Sequence, residues 1–324
     1  MQLCRIELIQ HGYFFTLTYR KPEKLAPGNE TNGSGKEPPM ELITENCMPY
    51  IKVPELSEEE KALPYAKYYT DYRLYPPNPI QQQILDAGPM RVDQAIPIEH
   101  WLDWLSPTGY PEIVYGYTMM PDGSGFYIEY STTSPTWQGA WRRWYGKWYN
   151  QHPKELPEGR GNLRYKIWNP VDHWDHRFVN GKDDKDGVWS VETLDIGLTG
   201  DPSKGMPAVS HNINLLEYGL SPEKKAELEA ADCRAEACWE EFDEPGHHLV
   251  LRFSRPCPLG GRESINCEWM GYWAKDGKII RDPETKVDET YLKNVLTHNT
   301  IERAHLAQVL PDLYAEFHDK PMGD

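Results

Sequence analysis

The chain has 324 residues, 39% of them hydrophobic and 26% charged, which is enough to bury one large core or two smaller ones. Its formal net charge of −16 opposes binding to the phosphate backbone of nucleic acids. No apolar run approaches the roughly 20 residues of a membrane span, and the N-terminal stretch lacks the continuous apolar region of a signal peptide. We therefore expect neither nucleic acid nor a membrane among the partners of this chain.

The cysteine pattern indicates a reducing compartment. The six cysteines include no CxxC pair, and a disulfide framework is not expected in a chain of this length. Reduced thiols in an intracellular protein are the simplest account. We therefore expect a cytoplasmic protein, and the sequence leaves a homodimer open.

Residues 1–110 are predicted to form an N-terminal extension of extended segments and short helices. Within it, residues 21–40 are rich in proline, glycine and charged residues, which predicts a mobile loop. The pattern changes over residues 111–324, which are predicted to form the main domain.

The main domain opens with a β-hairpin pattern, "EIVYGYTMM" and "FYIEYST" around the turn "PDGSG". An aromatic-faced helix is predicted next, because four tryptophans follow helical spacing. These are Trp137, Trp141, Trp144 and Trp148. The Trp-rich helix is a candidate roof for a pocket.

Further strands are predicted at "LRYKIWNP", "GVWSVETLDIG", "INLLEYGL", "HHLVLRFSR" and "INCEWMGYWA". The segment "SPEKKAELEAADCRAEACWEEF" is predicted to be a helix capped by Ser221. Strands interrupted by helices and closed by a long helix indicate an α+β fold with a largely antiparallel sheet. A curved sheet wrapped on the long C-terminal helix would enclose a cavity.

The last helix carries polar residues on the continuation of its apolar stripe. The stripe consists of Leu306, Leu310, Leu313 and Phe317. Extended backward, it reaches Glu302 and His298, whose four-residue spacing places them on one helix face. Thr297 is predicted to cap this helix, and Pro311 to kink it or to open a new turn. Because a buried carboxylate must be paired, protonated or metal-bound, the pattern leaves two interpretations: a hydrogen-bonded His–Glu pair or a divalent metal site.

Strand periodicity adds three polar candidates. Glu192, Tyr165 and His247 each alternate with apolar residues in a predicted strand, and alternate residues share a face. All three are therefore candidates to point into the cavity, although a polar group satisfied at a strand end would produce the same pattern.

Two histidines follow the predicted strand that contains Tyr165. His173 and His176 lie in the loop after it, and active sites favour such loops. Either histidine alone is compatible with a surface position. Together with His298 and Glu302, one of them would complete a His/Glu/His cluster.

The order of several motifs resembles that of the 2,4-diacetylphloroglucinol hydrolase family over about residues 110–317. These motifs are the Trp-rich helix and the runs "YGYTMMPDGSGFYIE", "LRYKIWNPVDH", "VETLDIG" and "HNTIERAHLAQVLPDLYAEF". The resemblance implies a Bet v 1-like helix-grip fold. It also implies Zn²⁺ held by two histidines and two glutamates, and hydrolysis of a carbon–carbon bond in an acylated phloroglucinol. The expected partner is thus a small aromatic acylphenol substrate.

The same resemblance assigns three ligands and a substrate contact. His298 and Glu302 match the HxxxE pair of the family's last helix. His173 matches the histidine ligand that follows "LRYKIW", and Tyr165 matches a tyrosine that faces the substrate.

The remaining family positions are matched less directly. Strand parity favours Glu192 as the fourth ligand, with Asp195 and Glu217 as alternatives, because "VETLDIG" is longer than the similar family stretch. The family's histidine near the scissile group is matched by His247, from order and parity. His176 stands where the family has an asparagine.

These residues predict a zinc-dependent hydrolase that releases a carboxylic acid from an acylated phenol. Three alternatives remain from the sequence alone. They are a ligand-binding protein of the same fold, a non-haem iron oxygenase, and a non-hydrolytic catalyst in polyketide or phenolic metabolism. The oxygenase remains because two histidines and a carboxylate also suit ferrous iron.

Overall fold

The computed structural model describes residues 54–70, 77–133, 139–150, 162–194, 202–243 and 246–321, together with the backbone of four short N-terminal strands. The chain divides into two compact units, Met1–Glu41 and Leu42–Asp324. The first unit contains one antiparallel hairpin, β1 (Cys4–Gln10) and β2 (Tyr13–Tyr19). The predicted mobile loop, residues 21–40, lies outside the described residues.

The second unit is built on one eight-stranded antiparallel sheet. Its twelve strands are β3 (Thr44–Glu45), β4 (Met48–Pro49), β5 (Gly116–Met119), β6 (Gly125–Thr132), β7 (His173–Phe178), β8 (Val188–Glu192), β9 (Met206–Ile213), β10 (Arg234–Phe242), β11 (His247–Pro256), β12 (Arg262–Met270), β13 (Tyr272–Lys275) and β14 (Lys278–Arg281). The large sheet has the order β5-β6-β12-β11-β10-β9-β8-β7, and the other strands form two small hairpins. Consecutive strands from β7 to β12 are therefore neighbours, and the β5–β6 hairpin joins the sheet beside its last strand.

Seven helices accompany these strands in the described part of the second unit. They are α1 (Glu58–Lys61), α2 (Lys67–Thr70), α3 (Pro79–Ala87), α4 (Gly139–Asn150), α5 (Leu163–Lys166), α6 (Pro222–Ala230) and α7 (Glu289–Phe317). Short 3₁₀ turns are also present, one of them at Leu215–Tyr218. None of the described helices combines the length and hydropathy that a membrane span requires. The short helices before residue 110 pack within the unit that starts at Leu42, and the predicted division at residue 110 stays a prediction.

Helix α7 contacts both edges of the sheet. Tyr117 of edge strand β5 belongs to the same buried cluster as Leu292 and Leu296 of α7. At the opposite edge, His173 of β7 lies 3.1 Å from Glu302 of α7. Eight strands span about 34 Å at their usual spacing, whereas a helix with its side chains is only about 10–12 Å wide. The sheet must therefore curve around the helix, as predicted for the α+β fold.

The outer face of the sheet is covered by a separate apolar core. Leu249, Leu251 and Phe253 of β11 pack there with Trp101 and Leu105 of the segment before β5. The inner face is left for α7, and the polar residues that face α7 line the space between them. This division decides which side chains of each strand can reach a cavity.

Several predicted elements differ in the structure. The segment "LRYKIWNP" is helix α5 and a turn rather than a strand, because Asn162 caps it and accepts a hydrogen bond from the Tyr165 amide at 3.2 Å. The predicted helix from Ser221 stops at Ala230, and the chain turns through Asp232, whose φ is 52°, into strand β10. The predicted strand "INLLEYGL" is instead the end of β9 followed by the 3₁₀ turn at Leu215–Tyr218.

Helix α7 begins earlier than predicted. Its cap is Asp288, whose side chain accepts from the amide of Tyr291 at 2.8 Å. Thr297 lies inside the helix and donates its hydroxyl to the carbonyl of Lys293 at 2.7 Å. Pro311 lies within the helix without ending it.

The β5–β6 hairpin and helix α4 are confirmed. Trp144 and Trp148 of α4 are buried in an aromatic core against Phe317, so they fill space rather than line a cavity. Trp137 lies outside the described residues.

Candidate metal centre

Two histidines and a glutamate converge between the sheet and α7. His173, His298 and Glu302 are all buried, and each offers a ligand atom within 4.8 Å of the others. His173 Nε2 lies 3.1 Å from Glu302 Oε2, and His298 Nε2 lies 3.7 Å from the same oxygen. The three side chains therefore face one point at which a metal ion could be held.

Glu192 lies beside this group of three and is a candidate for a second carboxylate ligand. It lies directly opposite His173 in the β7–β8 pairing, and opposite residues of neighbouring strands share a face. Its Oε2 is 3.8 Å from His298 Nε2. The Glu192 side chain is 26% exposed, whereas that of Glu302 is only 6% exposed, so Glu192 forms the solvent side of the cluster.

Asp172 orients the imidazole of His298. Its Oδ2 lies 2.9 Å from His298 Nδ1, and its Oδ1 accepts a hydrogen bond from the Thr193 hydroxyl at 2.8 Å. With Nδ1 held by a carboxylate, Nε2 is the nitrogen that faces Glu192 and Glu302. A carboxylate behind a histidine is the usual arrangement around a histidine metal ligand.

Tyr165 lies against the same cluster. Its ring stacks on His173 with centroids 4.1 Å apart and planes 5° from parallel. Its hydroxyl donates a short hydrogen bond to Glu192 Oε1. Helix α5 holds the residue there, since Asn162 caps the helix and also donates to the carbonyl of Tyr149 at 2.7 Å.

The cluster perturbs the protonation of its members. Burial lowers the pKa of His298, but the hydrogen bond to Asp172 and the negative charges of Glu302 and Glu192 raise it to about 9. Burial raises the pKa of Glu302, but its close contact with His173 and the nearby positive charges hold that pKa below the ordinary value. Burial, reinforced by Glu192, raises the pKa of Tyr165 well above its usual value, so this hydroxyl stays protonated at neutral pH.

The residues present fit a divalent ion. His173 is 1% exposed, and neither of its ring nitrogens has a hydrogen bond of acceptable geometry among the residues that the structure describes. A buried imidazole whose nitrogens lack well-formed hydrogen bonds is costly, and a metal ion would satisfy its Nε2. Two histidines with two carboxylates suit zinc, and they also suit ferrous iron.

Other predicted residues lie at varying distances from the ligands. His176 is next to Tyr165, with ring centroids 4.7 Å apart, and its Nδ1 lies 2.7 Å from Asn150 Oδ1. Glu217 is exposed in a 3₁₀ turn and accepts a hydrogen bond from Asn214 at 2.8 Å, away from the cluster. Asp195 lies outside the described residues.

The structure does not bring His247 to the cluster. As predicted, His247 shares a face of β11 with Leu249, but that face packs on the outer core rather than against α7. Its Nδ1 lies 2.7 Å from Asp282, and its ring stacks on Trp273 at 5.0 Å. Its neighbour His248 points to the inner face, where its Nδ1 lies 2.7 Å from Glu268 Oε1. Strand parity correctly grouped His247 with Leu249. It could not tell which face of the strand meets α7, because both faces of the sheet are covered.

Sequence reasoning also missed Asp172. It immediately precedes His173 in "NPVDH", which is the only local signal. Its contact with His298 joins positions 126 residues apart, so no periodicity could have revealed it.

Comparison with known proteins adds two similarities. The family described as "DAPG hydrolase PhiG domain" matches residues 96–315. The chain is also 26% identical to phloretin hydrolase of Eubacterium ramulus over 314 residues, which cover 84% of this chain and 96% of that protein. The family match contains all four candidate ligands.

Proposed function

Because the chain belongs to the DAPG hydrolase PhiG domain family, and is therefore a hydrolase of carbon–carbon bonds, we propose that it uses zinc to cleave the bond between an acyl group and a phloroglucinol-type ring. The family agrees with the one predicted from the sequence motifs. The similarity to phloretin hydrolase supports an acylated polyphenol as the substrate. The observation that carries the proposal is the convergence of His173, His298 and Glu302, with Glu192 at its solvent side.

The reaction adds water across one carbon–carbon bond. The acyl carbon gains a hydroxyl group and becomes a carboxylic acid, and the ring carbon gains a hydrogen. A phenol ring is a poor carbanion leaving group. Its keto form, however, turns the aryl ketone into a β-diketone, whose departing carbon is stabilised as an enol. Zinc held by His173, Glu192, His298 and Glu302 would supply a Lewis acid for the carbonyl and would lower the pKa of a nearby water.

The chain's own residues control the protons. Tyr165 keeps its proton at neutral pH and lies beside the ligands, so we assign it to donate to an oxygen of the substrate. His248 takes the role that the sequence suggested for His247, since it lies on the inner face. Its Nδ1 pairs with Glu268, which leaves Nε2 to deliver a proton to the ring carbon.

We also infer a Bet v 1-like helix-grip fold and a reducing compartment for this chain. The β5–β6 hairpin beside the last strand of the sheet, with α7 against the inner face, supports the Bet v 1-like helix-grip assignment. The cysteines whose side chains the structure describes are free thiols, which suits a reducing compartment. They are Cys233, Cys238, Cys257 and Cys267. The cytoplasmic location and a homodimer stay predictions.

An isotope experiment tests the reaction. Purified protein of known zinc content is incubated with an acylphloroglucinol in oxygen-18 water, with correction for exchange of the ketone beforehand. We expect the label in the released carboxylic acid, and we expect the reaction to run without air because no electrons are transferred. Strict dependence on dioxygen, or an acid without solvent label, would indicate the iron oxygenase instead. An intact substrate across a wide panel at full zinc occupancy would indicate a binding protein or a non-hydrolytic catalyst.

A further inference from the structure

A second buried polar cluster lies on the face of the sheet that carries Glu192. Ser210, Glu240 and His248 are directly opposite one another on β9, β10 and β11, so their side chains share a face. Glu192 is paired with Met206, an even number of residues before Ser210, and therefore points to that face too. Both clusters thus lie on the inner face.

The second cluster contains Glu240, His248 and Glu268, whose ligand atoms lie within 4.8 Å of one another. Glu268 is already engaged, because its Oε1 lies 2.7 Å from His248 Nδ1 and its Oε2 accepts from the Tyr127 hydroxyl at 2.7 Å. Asn299 of α7 in turn donates to the Tyr127 hydroxyl at 2.9 Å. This chain of contacts fixes the His248 ring and directs its other nitrogen away from Glu268.

Two buried polar groups at this cluster have no hydrogen-bond partner in the part of the chain that the structure describes. His248 is 1% exposed, and its Nε2 has no hydrogen bond among the residues that the structure describes. The hydroxyl of Tyr291, on α7, is likewise buried without a described partner, and the ring centroids of Tyr291 and His248 are 5.9 Å apart. Buried polar groups are normally satisfied, so both indicate a bound polar molecule.

Glu240 has an oxygen to offer to the same molecule. The contacts described for its carboxylate are at Oε1, which accepts from the Ser210 hydroxyl at 3.3 Å and lies 3.7 Å from Arg252 Nη2. The second oxygen can accept from a ligand. Burial, together with the charge of Glu268, raises the pKa of Glu240 to about 7, so a neutral donor is a more favourable ligand here than another anion.

The position of this cluster relative to the metal ligands fits one aromatic ring. Tyr291 precedes His298 by seven residues, which places both on one side of α7 and about 10 Å apart along its axis. A ring whose acyl carbonyl lies at the ligands would present its far side to Glu240 and Tyr291.

We propose that Glu240 and Tyr291, beside His248, form a hydroxyl-binding subsite that recognises the ring hydroxyl opposite the acyl group of the substrate. The substrate class rests on the proposed function. Glu240 accepts from the ring hydroxyl, and Tyr291 donates to its oxygen. Glu240 and Tyr291 then act as specificity residues that select a trihydroxylated ring over a dihydroxylated one.

Binding of ring carboxylates tests the subsite without turnover, because they carry a carboxylate in place of the acyl group. Affinities for 2,4,6-trihydroxybenzoate and for 2,6-dihydroxybenzoate, which lacks only the hydroxyl opposite the carboxylate, are measured by calorimetry on the zinc-loaded protein. We expect the unmodified protein to prefer the trihydroxylated ligand by about 10- to 100-fold, since a lost hydrogen bond to a charged acceptor typically costs that much. Tyr291→Phe and Glu240→Met should each reduce the preference to within about twofold.

Matched controls separate recognition from folding. Glu241→Met changes the adjacent glutamate, which is 56% exposed on the other face of β10, and should keep the preference. Tyr291→Phe removes only a hydroxyl without a described partner, so its thermal unfolding should match that of the unmodified protein. If Glu240→Met fails to fold, the Tyr291→Phe variant alone is sufficient for the test.

The outcomes distinguish this proposal from the proposed function. An unmodified protein without the preference, or a folded Tyr291→Phe variant that retains it, overturns the subsite and indicates a cluster that holds only water. Solvent label in the product alongside such a result would leave the hydrolase intact. Conversely, a Tyr291-dependent preference in a protein that hydrolyses no acylphenol would leave the subsite standing and overturn the hydrolase.

Discussion

Asp172 touches one candidate ligand without being a ligand itself, so its substitution tests how the cluster is held. Asp172→Asn keeps all four ligands but weakens the acceptor at His298 Nδ1. We expect zinc affinity to fall by about 10- to 100-fold, the usual effect of removing a carboxylate behind a histidine ligand. Competition with a chromophoric chelator measures it. Asp175→Asn is the control, because Asp175 pairs with Arg177 instead; an equal loss in both variants would contradict the assignment.

The fourth ligand is tested by two neighbouring acids. Glu192→Gln should lose both metal and turnover, because a neutral amide is a poor zinc ligand, whereas Asp195→Asn should largely retain both. Elemental analysis and the hydrolysis rate measure the two effects. The opposite result would place Asp195 at the metal.

Tyr165 is predicted to serve the substrate rather than the metal. Tyr165→Phe preserves the ring that stacks on His173 but removes the proton donor beside Glu192. Zinc content should therefore stay near that of the unmodified protein, while kcat falls by about tenfold or more, a typical effect of losing a positioned proton donor. A Tyr165→Phe protein that loses its zinc would show that the hydroxyl supports the ligands instead.

Sequence patterns predicted the positions of some of these side chains correctly and of others incorrectly. The four-residue spacing of His298 and Glu302 sufficed to place both on the inner side of a helix. The resemblance pointed to Tyr165, although the strand parity used for it was wrong, because the segment is helical. His248, and not His247, lies on the inner face of β11, and the sequence did not show this because parity sorts a strand into two faces without saying which face meets α7.

Helix α7 connects the core to the candidate ligands, so a core substitution far from the ligands should also affect them. Leu310 is completely buried two turns beyond Glu302. Leu310→Ala should lower the free energy of unfolding by about 2–5 kcal/mol, as truncations of buried leucines do. Urea unfolding measures this, and zinc should be released at the same denaturant concentration.

The control for this helix is Gln308→Ala, two residues away on the exposed side. A surface change of this kind should alter the free energy of unfolding by less than about 0.5 kcal/mol. If both variants unfolded alike, α7 would not be the element that joins core and ligands.

The secondary structure was predictable where a pattern was long or bounded by turn residues. The β5–β6 hairpin and α4 have such patterns. Helix α5 does not: Leu163 and Ile167 are four residues apart, a spacing that suits a short helix and an alternating strand equally well. Only the cap from Asn162 and the packing of Tyr165 decide between the two, and packing is not visible in the sequence.

The stability of the protein should depend on pH through His305. This residue is buried in α7 with its Nε2 3.1 Å from the carbonyl of Ile167. Burial lowers its pKa to about 3, despite that hydrogen bond. An unfolded histidine has a pKa near 6.5, so below that pH the unfolded chain binds a proton that the folded chain does not, and stability falls as the pH decreases from about 6.5 towards 3.

His305→Gln removes this titration and keeps a donor for Ile167. Between pH 7.5 and 5.5 the unmodified protein should lose about 1.4 kcal/mol more unfolding free energy than His305→Gln. Urea unfolding of both metal-free proteins at the two pH values measures the difference. Parallel losses would mean that His305 titrates normally in the folded state.

The contact of one helix with both edges of the sheet also sets the order in which the protein can be assembled. Strands β7 to β12 pair with their neighbours in the chain, so they can form as successive hairpins, whereas Asp172 and His298 must meet across 126 residues. We expect such distant closure to come late in folding. Until then, His173 and Glu192 would lie on an open sheet with only half of the candidate ligands in place. A metal ion held by all four ligands would therefore require docking of α7, and it would link the last part of the chain to its middle as a covalent bridge does.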